Sequence, residues 1–412
     1  MRAAAMTANR PTAPAPAPGA GRRVLLLQGP RSPFFARLSD ALEAMGAETR
    51  RVLFCPGDEL HWIGRPALRW RGPLAQWPAA CARMLAETGA TDVVGLGDGR
   101  ALHRAGFAQA RKAGALVHVV EQGWLRPGWL TLEPDALGAW RPDWSAPRPP
   151  AAPASAEKGA PFAAWAAMDV AHDLATLAAG WALYPGYRRH ALANPLAEWL
   201  GWGGKLARWP ARRAARAQAL REMAATQARG APLFLFALQL ETDFQIRDRG
   251  PAGGVRAALE TALASFARAA PAGARLVVKP HPLDPQPWRW ARLAAAGGAL
   301  FLDGGAVEPL FPQLAGVVTV NSTVGLAALR AGTPAAALGG AVYGPLTHPG
   351  PLDDFWRAPQ APSPARVAEF VDRMAAEIQT PGAFDGPGMA VGAEGAARLI
   401  LRRAPGSGGG TP

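Results

Sequence analysis

The 412-residue chain holds two cysteines, three tyrosines, three asparagines and four lysines against 40 arginines. Cys55 and Cys81 are too few for a disulfide framework and read as small buried hydrophobes in a reducing cytosol. No G-K-[ST] triplet occurs, which disfavours a P-loop phosphate site. The seven histidines show no H-x-x-x-H spacing and no cysteine partner, and no D-x-D occurs, so no metal-ligand set is evident. Long uninterrupted apolar runs are also lacking. The best candidate, "PFAAWAAMDVAHDLATLAAGWALYPG", is broken by Asp169, His172 and Asp173, so no transmembrane helix is expected and any membrane contact is peripheral. The N-terminus, "MRAAAMTANRPTAPAPAPGAG", reads as an Ala/Pro tail without the apolar stretch of a signal peptide. Against these absences stand 49% hydrophobic residues, enough for a sizeable core, and a net charge of +13. That charge calls for an anionic partner: nucleic acid, a phospholipid surface or an acidic substrate.

Strand and helix signals alternate along the chain, the pattern of βαβ units. "RVLLLQ", "TRRVLFC", "TDVVGLGD" and "LVHVVEQG" read as strands separated by helices, which makes 22–140 one doubly wound, Rossmann-like domain. Residues 141–161 are Pro/Ala-rich and read as a linker or insertion. Residues 162–228 read as a helical segment carrying basic and aromatic residues. A second alternating run, with strands in "APLFLFALQL", "ARLVVKP", "GALFLD", "VVTVNS" and "TPAAALG", makes 229–385 a second Rossmann-like domain. Residues 386–404 close with a helix, and 1–21 and 405–412 are tails. Two such domains place their strand ends against one cleft, so residues just after strands are the candidates.

Six stretches qualify. Gln28 and Gly29 follow the first strand and open a helix that could hold an anion. "VVGLGDGRALHRAG", with Asp98, Arg100 and His103, imitates a dinucleotide fingerprint. Arg100 stands where the third glycine of G-x-G-x-x-G belongs, so an ordinary turn with Asp98 as N-cap is favoured over a nicotinamide or flavin site. "VVEQGWLRPGWLTLE" places Glu121 beside Gly123, Arg126 and two tryptophans, either as a base or sugar contact or as a plain ion pair. "FLFALQLETDFQIRDRG" leaves Gln239, Glu241 and Asp243 after a strong strand, as nucleophile or base or as a solvated acidic loop. "LVVKPHPLD" holds Lys279 and His281 in extended backbone between Pro280 and Pro282, so both point to one side as two potential cations. "VVTVNSTVGLAALRAG" runs from a buried strand into Asn321, Ser322 and Thr323, where a cap and an anion site are both possible. Apart from these, 184–216 carries seven Lys/Arg against Glu198, with Trp199, Trp202 and Trp209 interleaved. That composition suits anionic lipid or RNA, or a solvated helix pair.

In this order the motifs "VLLLQGPRSPFF", "GDGRALHRA", "VVEQGWLRPGWLTLE", "LQLETDFQI", "VVKPHPLD" and "VNSTVGLAALRAGTPAAALG" resemble capsule polysaccharide biosynthesis proteins of the KpsS/LipB type over roughly 22–360. The resemblance implies a GT-B-like α/β fold and a β-Kdo glycosyltransferase. Its donor would be CMP-Kdo, with no other cofactor and no metal. Its acceptor would be phosphatidylglycerol at the cytoplasmic face of a Gram-negative inner membrane. Glu121 with Gly123 matches the family's acidic-Gly motif, with Gln122 in place of a second acid. Asp243 matches the catalytic carboxylate, and His281-Pro282, beside Lys279, matches the His-Pro motif aimed at CMP. Ser322 and Thr323, after Asn321, match the hydroxyl motif for the donor phosphate or carboxylate. Gln28, Gly29, Asp98, Arg100, His103, Gly123, Arg126 and Gln239 would line the acceptor side of the cleft. The resemblance also implies an anionic inner-membrane surface and other capsule biosynthesis or export proteins as partners, and no nucleic acid. The alternatives are a non-catalytic capsule assembly or export protein, and another nucleotide-sugar transferase or epimerase of the same architecture.

Overall fold

The structure is a computed structural model that describes residues 17–153, 159–189 and 195–403. The expected tails at 1–16 and 405–412 lie outside the described residues. Residues 17–21, read as tail, turn back onto the domain, with Gly19 N–H donating to Met45 O at 2.8 Å.

The first domain holds β1 (Arg23–Leu26), β2 (Glu48–Leu53), β3 (Leu68–Arg69), β4 (Asp92–Leu96), β5 (Leu116–Gln122) and β6 (Trp129–Pro134). The second holds β7 (Leu233–Ala237), β8 (Arg275–Lys279), β9 (Leu300–Phe301), β10 (Gly316–Thr319) and β11 (Ala335–Ala337), all parallel, in the order β11-β10-β7-β8-β9. The central strands, such as "DVVGL" and "LFLFA", are buried throughout. That is why they read as continuous apolar runs: helices cover both faces of a parallel sheet.

The chain crosses between domains more than once. The helix Phe162–Leu183 packs on the short helix Pro56–Leu60 of the first domain. The helix Trp209–Ala228 packs on β7 and β9 of the second. The expected helical segment 162–228 is therefore divided between the domains. The last crossing comes before the expected boundary at 385. Gln379–Pro381 forms β12, antiparallel to β6, and completes the seven-stranded order β12-β6-β5-β4-β1-β2-β3. The helix Gly388–Arg402 then packs on the helix Phe34–Ala44. The part of the Pro/Ala stretch before 154 is strapped to the helix Pro364–Ile378. Arg148 pairs with Asp372, and Arg366 stacks on Trp144. The fold is thus two Rossmann-like domains facing one cleft, a GT-B-like architecture. No helix among the described residues is long and apolar enough to cross a membrane.

Asp92 ties the first domain to the returning C-terminus. Its side chain is fully buried and accepts from Arg22 Nε (2.7 Å) and from His118 Nε2 (2.7 Å), while Arg22 also reaches the carbonyl of Arg403 (2.7 Å). Burial alone would raise the Asp92 pKa, but the hydrogen bonds from His118 and Arg22 hold it down at about 2. We predict that Asp92→Ala, which strands a buried guanidinium, destabilises the protein by about 3–5 kcal/mol in urea denaturation. The carboxylate's contribution should be present above the ordinary aspartate range and fade as pH falls from there through about 2.

Candidate active site

The carboxyl ends of β4, β5, β7, β8 and β10 converge on a cleft of about 500 Å3. Such ends are where parallel α/β sheets bind ligands. Glu121, the penultimate residue of β5, enters from the first domain. Its Oε1 accepts from the Gln122 N–H at 2.9 Å. The loop behind it is pinned: Trp124 donates through Nε1 to Glu133 (2.8 Å) and through its backbone N–H to Gln379 Oε1 (3.0 Å). Asp243 enters from the second domain as N-cap of the helix Phe244–Arg249, its Oδ1 accepting from the Gln245 N–H at 2.9 Å. Burial pushes both carboxyls above their ordinary pKa. Backbone N–H groups and Arg126 pull each back, and the charge of Asp243 raises Glu121 further.

The opposite wall is built by the strand exits of the second domain. Lys279 is buried at the end of β8, and its Nζ donates to Gly304 O and Gly305 O, both at 2.7 Å. Burial, with Arg216 nearby, lowers its pKa to about 8. Burial and Arg126 lower His281 to about 4, so its ring is neutral at neutral pH. The Leu283 N–H donates to His281 Nδ1 at 3.1 Å, which leaves the ring proton on Nε2. The expected pair of bare cations is thus a lysine already bonded to a glycine loop and a neutral histidine that donates. Lys205 holds the loop after His281 from below, donating to Pro282 O (2.6 Å) and Asp284 O (2.9 Å). Ser322 caps the helix Thr323–Arg330 by accepting from Val324 N–H at 3.2 Å. The Thr323 hydroxyl makes no hydrogen bond among the described residues, so it remains for an anion at the start of this helix. Asn321 and Gln239 saturate each other, through Gln239 Nε2 to Asn321 Oδ1 (2.8 Å) and Asn321 N–H to Gln239 Oε1 (3.0 Å). Asn321 also donates to Gln245 O at 3.0 Å, so this pair fixes the Asp243 turn.

Other expected residues stand elsewhere. Asp98 lines the cleft but is not a helix cap; it accepts from the Leu137 N–H at 2.9 Å, and Arg100 occupies the N-cap position. Gln28 and Arg100 line a neighbouring cavity. Gly29 and Gly123 serve packing: a Cβ there would come within 2.7 Å of the Phe35 ring and 2.6 Å of the Trp129 backbone. His103 is fully buried behind the wall, with Nδ1 2.8 Å from Gly97 O. Glu241 pairs with Arg289 away from the cleft lining.

The structure also brings ligand atoms of Cys55, Asp58 and His172 within 4.8 Å of one another, which no spacing revealed. Their surroundings do not suit a cation. Asp58 accepts from Gln28 and from the Phe54 N–H, with buried Arg51 at 3.9 Å. Sequence reasoning missed the Gly305–Glu308 wall, although the Gly304-Gly305 pair after a strand was a readable signal; both take positive φ. It also missed Phe244, against which Gly99 fits: a Cβ on Gly99 would lie 2.1 Å from the Phe244 ring.

Residues 91–384 match the family described as "Capsule polysaccharide biosynthesis protein". The chain belongs to this family. It is 28% identical over 369 residues to the capsule polysaccharide export protein KpsS of Escherichia coli, covering 85% of this chain and 93% of that one. It is 27% identical over 363 residues to the capsule polysaccharide modification protein LipB of Neisseria meningitidis serogroup A, covering 82% and 86%. Among solved structures, the β-Kdo 2,7 transferase of Thermosulfurimonas dismutans KpsC aligns with a TM-score of 0.43 and 14% identity, over 91% of this chain and 98% of that one. In this capsule polysaccharide biosynthesis protein, we predict that the His281 ring resonances stay unchanged from pH 8 down to about 5 in NMR titration and move only near pH 4.

Proposed function

We propose that this capsule polysaccharide biosynthesis protein is a retaining, metal-independent β-Kdo transferase. It would move Kdo from CMP-Kdo to a phosphatidylglycerol-type acceptor and so begin a poly-Kdo linker. The observation that carries this reading is the pair of carboxyls, Glu121 and Asp243. They come from different domains, burial raises both, and Arg126 acts on both across the cleft. The donor's phosphate and carboxylate would meet Lys279, the His281 Nε2–H, the Thr323 hydroxyl and the start of its helix. A β-linked donor and a β-linked product require retention, for which two displacements suffice. In the first, an Asp243 oxygen bonds to the anomeric carbon and the C–O bond to CMP breaks, CMP taking the electron pair. In the second, the acceptor hydroxyl gives its proton to Glu121, its oxygen bonds to the anomeric carbon and Asp243 leaves as carboxylate. A carboxyl with raised pKa holds the acceptor's proton more readily than an ordinary one.

Peripheral attachment at the cytoplasmic face of the inner membrane follows from a lipid acceptor. We take the surface for this contact to include the preceding helix as well as the segment 184–216. Of the basic segment 184–216, Lys205 is buried under the donor loop, Arg212 pairs with Asp303, and Arg208 stacks on Trp288. Leu200, Leu206 and Trp209 of that segment remain exposed, and an apolar stripe lies on the preceding helix, where Val170, Leu174, Leu177 and Trp181 recur at helical spacing and Trp181 is 78% exposed. A stripe this apolar facing solvent is unusual unless it is covered in use.

Asp243→Asn keeps an N-cap side chain and removes the nucleophile. We predict a folded protein whose transfer from CMP-Kdo to phosphatidylglycerol, read by mass analysis of the lipid, falls at least about a thousandfold. Undiminished transfer would overturn the assignment of Asp243. A second expectation concerns the stripe. Leu177→Ala with Trp181→Ala should reduce retention on phosphatidylglycerol vesicles by about tenfold or more, given about 1.5–3 kcal/mol for burial of one large apolar side chain. Equal sedimentation with vesicles would place the membrane contact elsewhere.

A further inference from the structure

A second cavity of about 340 Å3 opens beside the cleft, and Gly99 and Phe244 line both. Five arginines line it: Arg100, Arg104, Arg188, Arg189 and Arg247. No carboxylate does. Two of the five are neutralised by neighbours outside the lining, Arg104 by Asp248 (2.6 Å) and Arg189 by Asp173 (2.7 Å). The other three form no ion pair among the described residues. Arg100 donates only to Gln28 Oε1, at 3.2 Å. Arg188 donates to the carbonyls of Pro185 and Tyr187, and Arg247 stacks on the Phe244 ring at 5.3 Å. Trp70, Tyr187 and Phe244 supply flat apolar wall between them.

Three arginines without a carboxylate at one concavity repel one another unless an anion enters. Arg100 is half-buried, and Arg188 and Arg247 stand open at the cavity's mouth, within reach of a dissolved ligand. Burial lowers the pKa of Arg100, and the charges of Glu121 and Asp58 pull it back. Guanidinium groups are suited to phosphate and carboxylate because they donate two parallel hydrogen bonds to two oxygens. Aromatic faces beside them suit the carbon skeleton of a polyol or sugar. Position adds a further constraint. Gly99 and Phe244 line both spaces, and the charge of Arg100 acts on Glu121, so an anion held by the arginines lies next to the cleft that holds the two carboxyls.

We propose that this arginine cavity is the oxyanion subsite for the acceptor, taking the phosphodiester or carboxylate that the acceptor carries close to its attacking hydroxyl. The proposal rests on the transferase reading for what is done with that acceptor, but the cavity's affinity for an oxyanion stands apart from it. The subsite fixes which hydroxyl attacks, since the anion and the reacting carbon are then held at two fixed points.

The test uses the full chain and two probes in calorimetric titration: glycerophosphoglycerol, the acyl-free headgroup, and the methyl glycoside of Kdo, which offers a sugar carboxylate. At least one should bind, and the double variant Arg188→Ala/Arg247→Ala should weaken it at least tenfold. The charge-matched surface variant Arg366→Ala/Arg398→Ala should leave it within twofold. The probe that binds identifies the source of the oxyanion. Failure of both probes to bind, or equal binding by wild type and the cavity variant, overturns the proposal. Titration with CMP on the same samples keeps the two ideas apart. Oxyanion binding without CMP binding would count against the transferase reading and leave the subsite standing. In the transfer assay, the cavity variant should raise the KM for phosphatidylglycerol at least tenfold and move the KM for CMP-Kdo less than twofold. Equal shifts in both KM values would mean a general structural effect and overturn the assignment.

Discussion

Arg126 is the charge on which the cleft depends. It lines the cleft with its side chain open to solvent, and its field favours Glu121 and Asp243 as anions and adds to the burial that keeps His281 neutral. Without it, two like charges from different domains would face each other in a desolvated space, and one would have to take up a proton. With it, both carboxyls remain more basic than free carboxylates but less so than burial alone would make them. The loop that carries Arg126 is correspondingly well held, from Trp124 bonded to Glu133 and Gln379 to the Arg126 Nε bonded to Gly123 O. Gln379 belongs to β12, the strand that returns from the far domain. The C-terminal crossing is therefore part of how the cleft's central cation is positioned.

The same logic explains why the basic helices sit where they do. A chain with +13 net charge displays most of its lysines and arginines to solvent, yet Lys205 is turned inward onto the carbonyls of Pro282 and Asp284. Those carbonyls follow a proline-stiffened segment and have no strand partner, so a three-donor ammonium is an efficient way to satisfy them. Asp284 is used from the other side by Trp290 Nε1 at 2.8 Å. The donor loop is thus held by its own prolines, by Lys205 and by Trp290, before any ligand arrives.

The sheets were legible in the sequence because buried parallel strands must be apolar and must end where polar residues begin. The same rule exposed Glu121, Lys279, His281 and the run 321–323. What stayed hidden was the identity of partners. Asn321 and Gln239 each follow a strand, as a ligand contact would, but β7 and β10 are neighbours in the sheet, so their amides meet each other. His103 lay in a motif that looked like a nucleotide turn, while its helical position turned it inward toward Gly97 O. β12 is three residues long with no alternation to detect, so its return to the first sheet left no local mark. The arginine cavity was invisible for another reason. Its residues come from six separated stretches, and the last is brought into place by the contact of Gly99 with Phe244 and the pairing of Arg104 with Asp248.

A neutral His281 and a bonded Lys279 also bear on how the doubly anionic donor of the proposed reaction would be held and still released. Bare cations would bind phosphate strongly in the ground state and gain little more as charge builds on the leaving oxygen. A neutral N–H donor and a lysine shared with two carbonyls interact moderately with the intact donor. In the proposed transfer, as the bond to CMP breaks and negative charge concentrates on the phosphate, the hydrogen bond from the His281 Nε2–H and the attraction of the lysine ammonium both gain strength. Those interactions strengthen along the reaction coordinate, and only interactions stronger in the transition state accelerate the step. The burial that depresses both groups is then what makes their contribution differential. The two prolines keep His281 in place through the change, so the response is electrostatic rather than a movement of the loop.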